Sequence, residues 1–196
     1  MGLVRFMKKK KKNILDRLYT YDKKNNAYVI EVSLDKYEDI YNEWDPTPFR
    51  KRDIEPEFVD YLLDSSYDIP FRYNLDIKLY LPENKLDEKK ERSAKAALKS
   101  YFSYMLDRNK RNLLMSLSKC ARSLVIGFLL FMFYYLISIE SYDDYLSKII
   151  VEGVGILGWV AIWDVGEEFL FTGINKFNKR RSLKRLSQAK VEFVYK

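Results

Sequence analysis

Two long apolar runs dominate the hydropathy pattern in the second half of the chain. The first, SLVIGFLLFMFYYLISI, covers Ser123–Ile139 and contains no charged residue. As a helix it reaches about 26 Å, and one further turn makes it long enough to cross a bilayer. A soluble core helix of this length normally shows a polar stripe, which this run lacks. The pattern therefore predicts a transmembrane helix over residues 120–139.

The second apolar run starts at Ile149 and has one charged residue, Glu152, before Trp163 is reached. A short polar link, ESYDDYLSK, separates it from the first run. Two spanning runs joined by so short a link form a helical hairpin that returns to the side it left. The pattern predicts a second span over residues 149–171, within a transmembrane hairpin of residues 120–173.

Basic residues are concentrated before the first span and after the second span. They are Arg108, Lys110, Arg111, Lys119 and Arg122 before the first span, and Lys176, Lys179, Arg180, Arg181, Lys184, Arg185 and Lys190 after the second. The link has one lysine against Glu140, Asp143 and Asp144. Because cytoplasmic flanks of membrane helices are rich in Lys and Arg, both termini are expected in the cytoplasm.

The remaining patterns predict a small α+β domain. Residues 17–34 have two β-prone stretches around KKNN, which is typical of a hairpin, and LDIKLYL (75–81) alternates as a strand does. The segment RDIEPEFVDYLLDSS predicts a helix with Asp53 as N-cap and Pro56 in its first turn. Its apolar face is expected to consist of Phe58, Tyr61 and Leu62, and VEFVY (191–195) is a further strand candidate.

These elements predict five segments along the chain. They are a basic tail at 1–13, a cytoplasmic α+β domain of three or four strands and one short helix at 14–84, an amphipathic stalk helix at 85–119, the transmembrane hairpin at 120–173, and a basic carboxyl-terminal tail at 174–196 that ends in the strand candidate. The stalk helix has no breaker and is expected to run directly into the first span.

Composition narrows the chemistry. The net charge is +7, and the chain has no histidine and one cysteine, Cys120. Without histidine, Ser-His and Cys-His nucleophile chemistry and Cys/His zinc sites are excluded. No Gly-rich phosphate loop or nucleophile elbow is found in the sequence. We therefore expect a protein that is not an enzyme, with no catalytic residue, metal or cofactor.

A candidate ligand site lies where FRKRD follows Trp44. Arg50, Lys51 and Arg52 combine with this aromatic side chain, and such combinations hold phosphates and stack bases. The segment predicts single-stranded DNA or a nucleotide as ligand. The alternative is a basic loop that faces anionic lipid or a neighbouring subunit.

A candidate pore or oligomer site lies on the second span. Glu152, Gly155 and Trp159 follow helical spacing, and Gly158 adjoins the same face. Small residues on one face permit close helix–helix approach, and an ionisable group within a span indicates function. Two helices alone can hardly shield Glu152, so the pattern predicts a homo-oligomer, for example a tetramer. The alternative is an interfacial carboxylate that extends towards water.

Three motifs resemble a widespread, largely uncharacterised bacterial family of membrane proteins with two transmembrane helices. The family pattern runs RDLDPE, GRxSLxIG and EGLxIxGWVAMWRP, and the chain has RDIEPE at Arg52, ARSLVIG at Ala121 and EGVGILGWVAIW at Glu152. The chain departs from the pattern after Trp163, where Asp164-Val165 replaces Arg-Pro. The resemblance implies a multi-pass protein of the bacterial inner membrane. Its architecture is also similar to that of the Hailong anti-phage channel effector.

These patterns and the resemblance favour an oligomeric inner-membrane channel or pore-forming effector in anti-phage defence. A nucleotide or DNA oligomer from a partner nucleotidyltransferase would gate it at the cytoplasmic domain. Glu152 and the acidic residues of the link would form rings that favour cations. The alternative is a membrane-anchored scaffold or accessory subunit that does not conduct ions.

Overall fold

The computed structural model describes residues 14–47, 52–139 and 145–196. Its elements are β1 (Thr20–Asp22), β2 (Ala27–Ser33), α1 (Pro56–Asp68), β3 (Asn74–Leu81), α2 (Glu88–Ser138), α3 (Tyr145–Glu167), a π-helical segment (Glu168–Gly173), α4 (Ile174–Gln188) and β4 (Lys190–Tyr195). Short 3₁₀ helices cover Tyr37–Ile40 and Glu83–Lys85. The fold is therefore α+β, as the sequence predicts. The chain divides into two compact units, one of residues 1–107 with 180–196 and the other of residues 108–179.

A four-stranded sheet in the order β1-β2-β3-β4 forms the centre of the first unit. The predicted hairpin is confirmed, because β1 pairs with β2 in antiparallel register, Thr20 opposite Val29. β2 and β3 are parallel, with Ile30 opposite Ile77, and β3 and β4 are parallel as well. The sheet is thus mixed, and the carboxyl-terminal segment supplies its last strand.

The core of the first unit lies against this sheet. β3 alternates as predicted, with Leu75, Ile77, Leu79 and Leu81 buried and the residues between them half-buried. Helices α1, α2 and α4 bury apolar side chains in the same core cluster; these are Phe58, Val59, Leu62 and Leu63 from α1, Ala94, Leu98 and Phe102 from α2, and Leu183 and Leu186 from α4. The first unit is therefore held together by residues from both ends of the chain.

The start of α1 differs from the prediction. The helix begins at Pro56 with Glu55 as N-cap, whereas Asp53 was expected there. The backbone at Asp53 is engaged elsewhere, because its N–H donates to the Asp45 carboxylate at 2.7 Å and its carbonyl accepts from the Asn42 N–H at 2.9 Å. Tyr61 was expected on the buried face but is 49% exposed. Its hydroxyl donates to the carbonyl oxygen of Glu31 instead.

Within the described ranges, two helices are long and apolar enough to cross a membrane, Glu88–Ser138 and Tyr145–Gln188. Their most apolar windows have mean hydropathies of 1.9 and 1.7, and only 6% of each window is buried inside the structure. A core helix of a soluble domain buries most of such a run, so these exposed helices are compatible with a membrane-associated protein. The expected continuous passage from the residues around Glu88 to the first apolar run is confirmed by α2.

Candidate functional site

The apolar parts of α2 and α3 pack on each other through glycines in the second unit. Gly155 and Gly158 are buried, and a Cβ at either would lie 3.2 Å from ring atoms of Tyr134 and Phe131 respectively. A Cβ at Gly127 would lie 3.3 Å from that of Ala161. Small residues thus permit close approach of these two helices. The contact is made within one chain.

Trp159 lies at the margin of this contact. Its ring is edge-on to Phe131, with centroids 5.8 Å apart and planes at 89°. It is nevertheless 66% exposed, so most of its surface is left for lipid or for another copy of the chain. The structure therefore places Trp159 beside Gly158 but not inside the glycine contact.

Glu152 is exposed on α3. Its carboxylate forms no hydrogen bond or ion pair with any part of the chain that the structure describes. Ile149 and Ile156, one turn away on either side, are also largely exposed, so the carboxylate stands within an apolar surface. Lys148, one turn earlier, is exposed as well and forms no recorded ion pair with it. The predicted acidic residues Glu140, Asp143 and Asp144 lie outside the described residues.

The other end of the hairpin contains a polar cluster that the sequence patterns did not predict as a site. Asp164 accepts hydrogen bonds from Lys119 Nζ at 2.9 Å and from Ser123 Oγ at 3.1 Å. One turn later Glu168 accepts from Ser116 Oγ and, at 2.7 Å, from Lys176 Nζ. These bonds fasten α3 and the π-helical segment to α2.

A sequence signal for this cluster exists. Ser116, Lys119 and Ser123 recur at helical spacing on α2, and Asp164 and Glu168 stand one turn apart on the returning helix. Side chains at such spacing share one face of a helix. Pairing the two faces in an antiparallel hairpin would have brought these groups together.

The predicted ligand site is described only in part. Trp44 is 92% exposed in the loop after Tyr41, and its indole is open to a ligand. Arg52 lies in the same loop, where its Nε donates to the carbonyl oxygen of Asp45 at 2.7 Å. Arg50 and Lys51 lie outside the described residues, as does the lysine run of residues 1–13.

Asp45 organises the described part of this loop. Its carboxylate accepts the backbone N–H groups of Asp53 at 2.7 Å and Thr47 at 2.9 Å. These bonds, led by that from Asp53, hold the pKa of the carboxyl below its usual range. Asp45 therefore stays ionised near neutral pH and ties Thr47 and Asp53 to the loop just after Trp44.

No family model matches the chain, and no match is found among curated proteins or solved structures.

Proposed function

We propose that the protein is an oligomeric ion channel of the bacterial inner membrane. In this proposal the hairpins of several copies surround an ion pathway, and both termini lie in the cytoplasm. The α+β unit binds a ligand that controls the pathway, single-stranded DNA or a nucleotide made by a partner nucleotidyltransferase. The resemblance to membrane proteins with two transmembrane helices, and to an anti-phage effector, supports a role in defence.

The observation that carries this proposal is Glu152. A carboxylate facing hydrocarbon alone is costly, so ionisable groups in spans normally face a partner or water. The described part of the chain gives Glu152 no such partner, whereas a ring of copies around an aqueous pathway would hydrate it. Rings of Asp or Glu are a common basis of cation selectivity.

The ligand part of the proposal relies on Trp44. An exposed indole beside basic residues offers a stacking platform, and base–aromatic stacking contributes about 1–3 kcal/mol per base. The backbone of Trp44 is held by Asn42, because the Trp44 N–H donates to Asn42 Oδ1 at 2.9 Å. The platform is thus held by its turn while its ring stays open.

One observation favours a second candidate, a membrane scaffold that does not conduct ions. Gly155 and Gly158 are already covered by Tyr134 and Phe131 of the same chain. The hairpin therefore packs its glycine face without another copy. On this alternative Glu152 only contacts a neighbouring helix or the headgroup region.

Ion flux distinguishes the two candidates. The full-length protein would be reconstituted into liposomes loaded with a potassium-sensitive dye, with and without single-stranded oligodeoxynucleotide. A channel predicts flux that depends on the oligonucleotide. The variant Trp44→Ala should show weaker flux at low oligonucleotide concentration and normal flux at high concentration. Absence of flux under all conditions, with correctly inserted protein, would favour the scaffold.

A further inference from the structure

Helix α4 carries an unusually one-sided charge. Its sequence, INKFNKRRSLKRLSQ, contains six basic residues and no acidic one. Ser182, Leu183 and Leu186 are buried in the core of the first unit, whereas Arg181 and Lys184 are exposed on the opposite side. The basic side of α4 is therefore presented to the surroundings of the α+β unit and is not used to pack its core.

The loop between α1 and β3 adds to this surface. The guanidinium carbon of Arg181 lies 4.6 Å from the centre of the Phe71 ring, and that of Arg185 lies 5.4 Å from the same centre. The neighbouring Arg72 is exposed, and its guanidinium carbon lies 4.7 Å above Tyr73. We call Phe71, Arg72, Arg180, Arg181 and Lys184 the basic surface.

Part of the positive charge of this surface has no carboxylate partner among the described residues. Neither Arg180 nor Lys184 has a recorded ion pair with a carboxylate in the part of the chain that the structure describes. Burial, followed by repulsion from Arg181, lowers the pKa of Arg185 to about 10. Two guanidinium groups on one ring repel each other, and an anion placed beside them would relieve that repulsion.

The place of α4 in the chain indicates which anion this is. Only nine residues along the chain separate Arg180 from residue 171, where the predicted second span ends, and even an extended chain gains only about 3.6 Å per residue. Basic clusters of this size beside a membrane helix attract anionic lipids. From the charge of α4, the shared Phe71 ring and this tether, we infer that the basic surface binds the headgroups of anionic phospholipids.

The binding geometry follows from the side chains. Arginine donates in a planar fork that matches a phosphate, and Arg72 and Arg181 stand on aromatic rings that hold their guanidinium planes. Lys184 adds a point charge on the exposed side of α4. The surface thus offers donors for a phosphodiester, and this binding is independent of whether the hairpin conducts ions.

The test measures binding of an acyl-labelled phosphatidylglycerol to the full-length protein in uncharged detergent, by fluorescence anisotropy. The triple variant Arg72→Gln/Arg181→Gln/Lys184→Gln removes three cations of the basic surface. Lys23→Gln/Lys24→Gln/Lys85→Gln is the matched control, because it removes three exposed cations elsewhere on the same unit. Circular dichroism and the melting temperature without lipid show that each variant is folded.

We expect the triple variant to bind about 100-fold more weakly and the control to stay within about twofold of the wild type. Lys184→Gln alone, at an exposed position, should weaken binding about fivefold, which corresponds to about 1 kcal/mol per basic side chain near an anionic surface. No ion flow enters this readout, so loss of channel activity would not affect it.

Four results would overturn the inference. Labelled phosphatidylcholine could bind as tightly as phosphatidylglycerol, or the triple variant could bind like the control. Inorganic phosphate could displace the lipid at equal concentration, which would assign the surface to a free anion. A single-stranded oligodeoxynucleotide could displace it at lower concentration than unlabelled phosphatidylglycerol, which would make this a nucleic-acid surface.

Discussion

Arg185 donates a hydrogen bond from Nη1 to the carbonyl oxygen of Ile69 at 3.0 Å. The same nitrogen lies 3.3 Å from the carbonyl oxygen of Ser66, so one cation serves two carbonyl groups at the end of α1. A cation at the carboxyl end of a helix is favoured by the helix dipole. This contact joins α4 to α1 and helps to hold residues 180–188, which carry four of the six cations of α4, in the first unit.

Replacing Arg185 with alanine should lower the stability of the first unit. The change removes charge-assisted hydrogen bonds and the packing of the arginine stem, and a loss of about 1–3 kcal/mol is expected. Gln188→Ala, at an exposed position on the same helix, is the control and should change stability by less than about 0.5 kcal/mol. Chemical denaturation followed by far-ultraviolet circular dichroism measures both. Equal stabilities would mean that the bonds to Ser66 and Ile69 contribute nothing.

Glycine at position 158 should be essential for hairpin packing. A leucine there would drive its side chain into Phe131, because even a Cβ lies only 3.2 Å from the ring. Overpacking of this kind costs about 1–3 kcal/mol, so Gly158→Leu should lower the melting temperature in detergent. Gly153 is the matched control, since no atom lies within 4 Å of a Cβ placed there.

The same two variants examine the oligomer prediction. Size-exclusion chromatography with light scattering should be run on Gly158→Leu and Gly153→Leu. A lower melting temperature with unchanged mass for Gly158→Leu would assign the glycine to the contact with Phe131 alone. A shift of that variant towards monomer would show that the hairpin must be packed before copies associate.

The polar end of the hairpin should depend on the pair Lys119 and Asp164. Their charged atoms are 2.9 Å apart, and each is also partly exposed. Lys119→Asp and Asp164→Lys should each lower the melting temperature, because like charges then face one another across the two helices. The double variant should recover part of the loss, and a double-mutant cycle measures that coupling. Strictly additive effects would show that the pair does not fix the register.

Glu91 should make the stability of the first unit depend on acid pH. Burial alone would raise its pKa, but hydrogen bonds from Lys95 and Tyr195 outweigh burial and lower it. A carboxyl whose folded pKa is lowered stabilises the fold above its unfolded pKa, and this stability is lost as the pH falls through the folded pKa. The melting temperature should therefore decrease as the pH is lowered beneath about 4.5, which is the ordinary pKa of a glutamate.

Glu91→Gln isolates this contribution. Glu38 and Asp45 also have lowered pKa values, so the wild type loses stability in acid from several groups. The melting temperature of Glu91→Gln should be lower than that of the wild type at pH 7, and the difference should shrink between pH 5 and pH 3. A difference that stays constant with pH would assign Glu91 a role in packing only.

Local sequence patterns predicted those helices and strands that can be recognised without knowing which other segments they pack against. The alternation of Leu75, Ile77 and Leu79 is sufficient for β3, and the absence of charge is sufficient for the apolar part of α2. The predicted start of α1 was wrong because Asp53 lies beside the β-bridge between Tyr41 and Ile54. Local sequence does not reveal this contact. A cap is chosen by competition among all donors that reach the side chain, including those from distant residues.

The sequence predicted which residues belong to the candidate site, but not which other residues they contact. Gly155 and Gly158 were expected to permit close approach, yet their partners Tyr134 and Phe131 follow from the register of the hairpin, which a single run cannot specify. The cluster around Asp164 and Glu168 depends on the same register. The exposure of Trp44 likewise depends on a turn in which Asn42 accepts its backbone N–H. Sequence patterns thus specify faces, whereas the contacts need the pairing of distant segments.

The charge of Glu152 is the basis of the proposed channel. Lys148 offers a control with the opposite charge, since its removal should change ion selectivity in the opposite direction. Both are exposed, one turn apart on α3, so both would stand near the same mouth of an ion pathway. Glu152→Gln should then lower the preference for cations, whereas Lys148→Gln should raise it. In a scaffold neither change has any electrical effect.

The most direct measurement is the reversal potential of the full-length protein in a planar bilayer under a potassium chloride gradient, with oligodeoxynucleotide on the side of the termini. We expect a reversal potential near the potassium equilibrium value for the wild type. It should move towards zero for Glu152→Gln and change sign for Glu152→Lys, while all three proteins keep the same oligomeric mass. An identical reversal potential in the wild type and Glu152→Gln would contradict the proposed channel, because Glu152 would then not line the pathway.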